Sequence, residues 1–359
     1  MRVLHVIDSL IQAGAEALVK DMVPRMRSAG VEVSVAVLKE LDSPFERELR
    51  EKNIAFLPTA RGGIYSPKHI LSLSRHVHQF DLIQTYLFPA QLFAPLAVML
   101  AGSKVPLVLS EQTTHHRREK MWLRPLETWM YSRYTAIACA SEGIAASLKA
   151  WVPGVSDKIT VIPNGIDIQT FERATAVPRS SVGINNGNCV LLYVARLEPQ
   201  KDHANLLRAL SQIPDADLLL VGDGSLRAQL EAQAETLGVA PRVHFLGRRK
   251  DVAELLKMAD IYVHPPVFEG FGIAAAEAMA AGKPIVATNV PGLAQVVDDA
   301  GILVPPGDPA TLAREVCSLM NSPDRCQELS RAAVERGRQF RIEKTVAAYI
   351  DLYGSVLSR

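Results

Sequence analysis

Several features that would place a chain quickly are scarce in this one. Cysteine is rare, with four in 359 residues. Cys139, Cys189, Cys317 and Cys326 show no Cys-x-x-Cys spacing and no pairing rhythm, so neither a disulfide scaffold nor a cysteine zinc site is expected, and the thiols read as reduced and buried. Charge of one sign is missing too. Lys+Arg 39 against Asp+Glu 38 leaves a formal net charge of +1, which gives no electrostatic footprint for nucleic acid. Long apolar runs are absent. The most apolar stretch, Leu87 to Gly102, is broken by Pro89, Gln91 and Pro95 and is shorter than the ~20 residues a membrane span needs. It is expected as a buried helix under the first domain. The opening residues, Met1 to Ile7, enter a strand without the apolar core of a signal peptide, so a cytoplasmic protein is expected. No internal repeat or low-complexity tail is seen.

What is present is ample core material. Hydrophobic residues make up 48% and charged residues 21%, a globular composition, and the length argues for two domains. Short apolar runs alternate with longer amphipathic ones. Strands are expected at 3–7, 33–38, 82–86, 107–110, 136–140 and 160–162, then at 190–195, 218–221, 243–246, 261–264, 285–287 and 302–304. Such runs lack polar alternation, as strands buried on both faces of a parallel sheet do. Helical stretches between them, such as 14–29 and 200–211, supply the crossovers. The expected fold is α/β, with two Rossmann-like, doubly wound domains. Pro178, Ser180, Ser181, Gly183 and Gly187 collect without periodicity between Gln169 and Asn188. The expected domains are therefore 1–170 and 171–340, the first with a small basic excess and the second with a small acidic one.

The segment His264-Pro-Pro-Val-Phe-Glu269-Gly-Phe-Gly272-Ile-Ala-Ala-Ala-Glu277 reads as a strand, a glycine-containing loop and a helix starting near Gly272. In an open parallel sheet such a loop lies at the carboxyl edge, where ligands bind. The helix N-terminus offers unpaired N–H groups to a phosphate. Glu269 and Glu277 can address different parts of one ligand. Arg196 and Lys201 follow the strand that ends at Ala195. In the first half, Gly14 stands between the first strand and a helix. The stretch Ile11-Gln-Ala-Gly-Ala-Glu16 lacks the Gly-x-Gly-x-x-Gly of a nicotinamide site, and Glu40 has no fingerprint behind it. Asp215-Ala-Asp217 has the spacing of a metal-binding Asp-x-Asp, but it opens a strand at the edge opposite the ligands. No metal site is expected.

The run from Phe268 to Thr288 resembles the donor-site signature of family 4 retaining glycosyltransferases (glycosyl transferases group 1, GT-B architecture). Gly14-Ala-Glu16, Val161-Ile-Pro-Asn-Gly-Ile-Asp167, Val194-Ala-Arg196-Leu-Glu-Pro-Gln-Lys201, Val221-Gly-Asp-Gly224 and Phe245-Leu-Gly247 fall in the same order as that family's other motifs. The resemblance implies two domains facing across a cleft, with residues 341–359 returning to the first. The first domain would be the acceptor side and the second would hold the nucleotide-sugar donor. It also implies metal-independent, retaining transfer from a nucleotide-diphosphate sugar (a UDP-sugar foremost), with no cofactor beyond that donor. The acceptor would be a glycan or lipid-linked molecule of cell-surface polysaccharide biosynthesis.

Carried over by residue, Arg196 and Lys201 would hold the diphosphate, Glu277 the ribose and Glu269 the sugar hydroxyls. Backbone N–H groups at Phe271, Gly272 and Ile273 would meet phosphate or sugar, and Gly247 and Arg248 the base. Gly14 would close on the diphosphate from the other domain. Relatives often carry a histidine after the strand 107–110. Gln112 aligns with it, and Glu111 and His115 stand beside it as further candidates. Pro266 and Gln295 depart from the residues common in the family. The alternatives are another GT-B activity, such as sugar-nucleotide epimerisation, or a silent nucleotide-sugar binding protein. Finally, residues 117–134 alternate cations with Trp and Tyr, the pattern of a helix lying on the inner face of a membrane.

Overall fold

The computed structural model describes residues 1–11, 14–60, 62–113, 121–184 and 187–358. By its internal contacts the chain divides into two units, residues 1–165 with the C-terminal segment from Ile342, and residues 166–341. Both are doubly wound α/β units built on a wholly parallel sheet.

The first sheet is formed by β1 (Arg2–Ile7), β2 (Glu32–Val37), β3 (Ala55–Leu57), β4 (Leu82–Tyr86), β5 (Leu107–Glu111), β6 (Ala136–Cys139) and β7 (Ile159–Val161), in the order β3-β2-β1-β4-β5-β6-β7. The order reverses between β1 and β4, which pair in register with Val3 opposite Leu82. Sequence periodicity missed only β3, whose three residues are too few to stand out as a run. Helix α1 (Gly14–Ser28) buries Leu18, Val19, Met22, Val23 and Met26 against this sheet. The expected apolar helix is present at Ala90–Leu100, although Met99 and Leu100 are exposed at its end. Helix α2 (Arg124–Ser132) begins after a turn of 3-10 helix.

The second sheet runs β10-β9-β8-β11-β12-β13, from β8 (Cys189–Val194), β9 (Ala216–Val221), β10 (Val243–Gly247), β11 (Ile261–His264), β12 (Ile285–Thr288) and β13 (Ile302–Val304). Its switch point lies between β8 and β11, whose carboxyl ends lead to Arg196 and to Glu269. Two short helices matter below, α3 (His203–Leu210) and α4 (Ile273–Ala280). Of the four cysteines only Cys139 is buried. The other three are partly exposed, which corrects the expectation of four buried thiols.

The chain passes between units earlier than expected, at 165/166 rather than at 170. Ile166 forms a parallel bridge with Arg341, and the helix Ile168–Arg173 buries Ile168 and Phe171 within the second unit. Packing on that unit outweighs the loop-like composition further along. The returning helix α5 (Ile342–Leu357) buries Ile342, Val346, Tyr349, Tyr353 and Val356 in the first unit's core, beside Val3, Ile7 and Leu82. Gly165 permits this closeness, since a Cβ there would lie 2.5 Å from the Ile342 Cα. Tyr353 also donates its hydroxyl to the buried Gln84 side chain of β4.

Candidate functional site

A mostly buried ion pair of the second unit lies at the carboxyl edge of its sheet. Beyond β8 the chain makes a 3-10 turn, Pro199–Lys201, and Asp202 then caps α3 from a left-handed conformation, its carboxylate accepting from the Asn205 N–H. The Tyr193 hydroxyl donates to the Lys201 carbonyl at 2.9 Å and so fixes this turn from beneath. The Val267 N–H donates to the Gln200 carbonyl, tying the turn to the loop that leaves β11. These contacts bring Lys201 Nζ to 2.5 Å from Glu269 Oε2, with both side chains mostly buried.

Glu269 has two further partners. His264 Nε2 lies 3.3 Å from Oε2, and the Gly270 N–H donates to Oε1 at 3.2 Å. Burial alone would raise the Glu269 carboxyl, but Lys201 and His264 outweigh it and hold the group at about 2. Burial pushes His264 the other way, below its ordinary value, and Glu269 only partly offsets this. The imidazole is therefore neutral near pH 7. Because a carboxylate can only accept, the ring proton sits on Nε2, and Nδ1 accepts from the Tyr262 hydroxyl at 3.1 Å.

Next to this pair the helix α4 begins. Gly272 is its N-cap at φ +96°, where a side chain would be strained and a Cβ would press on Leu293 at 2.8 Å. Phe271 is buried edge-on against Phe340, so what it and Gly272 and Ile273 bring to the edge is backbone. The first N–H groups of any helix lack intrahelical acceptors and carry partial positive charge. Glu277 is half-buried in α4, close enough to Tyr262 to add to the upward push that burial gives that phenol. Arg196 is exposed, and its guanidinium has no ion pair among the described residues. Arg248, following Gly247 at the end of β10, is exposed as well. This edge can hold an anion, backed by a buried carboxylate able to accept hydroxyl hydrogens.

Two residues that depart from the family pattern have local roles. The Pro266 carbonyl accepts from Thr288 and the Gln295 carbonyl from Arg336. The Asp-x-Asp is not open to a cation, because Asp217 is buried within β9 and accepts from Asn188 and His244.

The first unit places its candidates differently. Gly14 opens α1, and the two residues before it lie outside the described residues. His115 and the cations Arg117, Arg118 and Lys120 also lie outside them. Glu111 ends β5 but is only 1% exposed. Its Oε2 accepts from the Tyr131 hydroxyl at 2.7 Å and from the Gln91 amide at 3.4 Å, and its Oε1 from the N–H groups of Gln112 and Thr113. With those acceptor sites in use, Glu111, expected as a site candidate, braces the loop that follows β5. Gln112 and Asn164 exchange amide hydrogen bonds, at 3.2 and 2.7 Å, and Gln112 also donates to Ser110, which bonds Tyr349.

Of the basic-aromatic stretch, residues 121–134 are described, and their aromatics divide between core and surface. Met130, Tyr131 and Tyr134 are buried, with Tyr134 bonded to Thr85 and the Gln91 carbonyl, so these side chains cannot sit at headgroup depth. Trp122 is 73% exposed and Leu126 46%. Trp129 carries the Arg133 guanidinium over its ring and lines a shallow pocket with Arg124, Pro125, Thr128 and Ser132. No helix among the described residues is long and apolar enough to cross a membrane.

Two residues went unnoticed in the sequence. His264 ends an apolar run and looks like core. Asp8 follows β1 directly, its carboxyl pushed up by burial and one oxygen without a hydrogen-bond partner among the described residues. The available signal was a lone polar residue at the carboxyl end of a buried strand, next to the switch point.

Two family profiles match the chain, Glycosyltransferase Family 4 over residues 13–170 and Glycosyl transferases group 1 over residues 177–338. The putative glycosyltransferase EpsD of Bacillus subtilis (strain 168) is 29% identical over 253 residues, which make up 66% of this chain and 66% of that protein, just under two thirds of its length. The N-acetyl-alpha-D-glucosaminyl L-malate synthase of Bacillus anthracis is 29% identical over 299 residues, 79% of this chain and 74% of that one. Among solved structures, Anabaena Alr3699/HepE in complex with UDP-glucose aligns with a TM-score of 0.88 at 23% identity, over 99% of this chain and 100% of that chain. That likeness is one of fold.

Proposed function

The chain belongs to the family 4, group 1 glycosyltransferases, and from that premise we propose that it moves a sugar from a nucleoside diphosphate, UDP foremost, to a hydroxyl of a glycan or lipid-linked acceptor in cell-surface polysaccharide synthesis. One observation carries the reading. An exposed Arg196, the Lys201–Glu269 pair and the N-terminus of α4 meet at one sheet edge. Two cations and a helix terminus suit a diphosphate that gains charge as the sugar departs. Glu269 accepts hydrogen bonds from sugar hydroxyls, Glu277 from the ribose, and the backbone near Gly247 and Arg248 meets the base. The UDP-glucose named in the HepE complex supports UDP as the first donor to try.

The transfer is retaining in this reading, with the departing phosphate helping to take the acceptor proton on the same face. A double displacement would need two carboxylates ~5–5.5 Å apart flanking the bond, whereas this reading gives Glu269 the sugar hydroxyls and Glu277 the ribose, which leaves no such pair. With two cations at the diphosphate, activity survives EDTA. The test is release of nucleotide from UDP-, GDP- and ADP-sugars with glycan and lipid-linked acceptors, with the product anomer read by NMR. Release from none of them sinks the reading. An epimerised donor without transfer favours epimerisation, and binding without turnover a silent binder.

The acceptor lies at the inner face of a membrane in this reading, and the protein works from the cytoplasm. Exposed Trp122 and Leu126, with Arg124 and Arg133 nearby, support peripheral contact with anionic lipid, each cation worth ~1 kcal/mol near such a surface. Flotation with anionic liposomes at low salt checks it. A protein that stays unbound there acts on a soluble acceptor instead.

A further inference from the structure

We infer that His264 is a positioning residue for the donor's sugar: it holds the Glu269 carboxylate in place when a diphosphate draws Lys201 away. The inference rests on the donor-site reading above and divides that site into a part that reads the nucleotide and a part that reads the sugar.

Lys201 and Glu269 are each other's closest charged partners, at 2.5 Å. A diphosphate seated between Arg196 and the start of α4 competes for the same ammonium. Its two charges and many acceptor oxygens offer Lys201 more than one carboxylate does. Once Lys201 turns to phosphate, Glu269 is a buried carboxylate short of its main cation, and a buried charge without partners is costly. Two donors remain, the Gly270 N–H on Oε1 at 3.2 Å and His264 Nε2–H on Oε2 at 3.3 Å.

The backbone donor travels with the loop, whereas His264 is anchored in the sheet. It is the last residue of β11 and is 1% exposed. Tyr262 fixes its tautomer through Nδ1, and the Tyr193 ring stands edge-on to it at 5.2 Å. A fixed imidazole aims one N–H at one oxygen and leaves the other lone pairs of Glu269 for sugar hydroxyls. His264 is too deeply buried to meet the donor itself, so it acts through Glu269. UDP, which lacks the transferred sugar, also draws Lys201 away and loses part of this support, but only the UDP-sugars lose the aim of the carboxylate at the sugar hydroxyls as well.

The full-length protein is titrated calorimetrically with UDP, UDP-glucose, UDP-galactose and UDP-N-acetylglucosamine, as wild type and as His264→Leu, His264→Gln and Tyr262→Phe, with a thermal melt of each. The wild type is expected to rank the three sugars. His264→Leu should weaken UDP by no more than a few-fold and lose about tenfold or more beyond that for the preferred sugar, the scale of a hydrogen bond to a charged group. His264→Gln, which retains an N–H, should recover most of that loss, and Tyr262→Phe should lose about threefold. Parallel weakening of UDP and the UDP-sugars, or a wild type that does not rank the sugars, overturns the inference. If His264→Leu does not fold, Tyr262→Phe decides, and an unchanged ratio there is equally fatal. A wild type that binds no UDP sinks the UDP-donor reading itself, and the inference falls with it.

Discussion

Both sheets end in polar residues at their carboxyl edges, but the two units use them differently. In the first unit Glu111, Gln112, Asn164, Ser110 and Tyr349 bond one another. The network is mostly neutral, and its one carboxylate accepts from Tyr131, Gln91 and two backbone N–H groups. In the second unit the edge holds a lysine and a carboxylate that share one another, with an exposed arginine nearby. A closed neutral network resists change and gives a loop one shape. A charge pair is an exchangeable contact, because a stronger anion can take the cation. The difference suits a rigid surface for an acceptor in one unit and a competitive seat for a diphosphate in the other. It can be broken from either side.

The largest effect is expected from ending the chain at Arg341. This removes Ile342, Val346, Tyr349, Tyr353 and Val356 from the first unit's core, and truncating one large buried side chain already costs ~2–5 kcal/mol against a total of ~5–15. Hydrogen exchange should show β1–β7 losing protection while β8–β13 keep theirs. Protected amides in both sheets would mean that α5 is not needed for the first unit's fold.

Lys201→Ala comes next and attacks the charge pair. Transfer should fall by ~10²-fold or more in kcat/KM, as removal of one charge-stabilising donor typically does. Near-normal turnover at saturating donor would contradict the donor-site reading. The same variant carries a pH signature. Glu269 is held at about 2 against an ordinary 4.5, so its ionised form stabilises the fold above about pH 4.5, and that contribution is lost as pH falls through about 2. The stability gap between wild type and Lys201→Ala should therefore be full at neutral pH and close on acidification through that window. Urea melts from pH 7 to pH 2 measure it.

How much of this was legible in the sequence follows from what each signal needs. Buried parallel strands announce themselves as unbroken apolar runs, and every run in the series is a strand, give or take two residues at an end. Only Ala55–Leu57 was too short to see. Gly272 and Glu269 stood out because a strand, a glycine loop and a helix lie in one short segment. The pairing of Glu269 with Lys201, 68 residues apart, cannot be read from local pattern. The setting of Glu111 is hidden for the same reason. Its main partner, Tyr131, lies 20 residues on, and no spacing rule says that a carboxylate is already satisfied. His264 was hidden because a histidine that completes an apolar run looks like core, and it becomes informative only with the Glu269 oxygen beside its ring.

Glu111→Gln probes the neutral edge. The carboxylate accepts on both oxygens, and an amide must turn its NH2 toward one set of those donors. Stability should drop by ~1–3 kcal/mol, the cost of leaving buried partners unmade. Transfer per folded molecule should stay within a few-fold of wild type. A hundredfold loss of transfer without loss of stability would return Glu111 to the reacting groups.

Gln112→His is expected to have the smallest effect, and it tests whether the neutral network itself holds the edge. The amide of Gln112 meets Asn164 twice, donating at 3.2 Å and accepting at 2.7 Å, and also reaches Ser110 at 2.8 Å. A neutral imidazole has one N–H and one lone pair on separate sides of a rigid ring, so it cannot reproduce the two-way exchange with Asn164. One hydrogen bond of the set is lost, a net cost of ~1 kcal/mol and a melting point lower by about 2–4 °C for a unit of this size. Asn164 sits in the segment that leads to Gly165, against which α5 packs through Thr345 and the Pro163 carbonyl, so the loss should register in the first unit's unfolding. Transfer should change by no more than about threefold, because Gln112 is turned toward Ser110 and Asn164. Calorimetry and a nucleotide-release assay on the same preparation separate the outcomes. An unchanged melting point would show the amide pair to be dispensable. A large gain in transfer would place position 112 beside the reacting sugar, as in relatives that carry a histidine there, and would end the contrast drawn between the two edges.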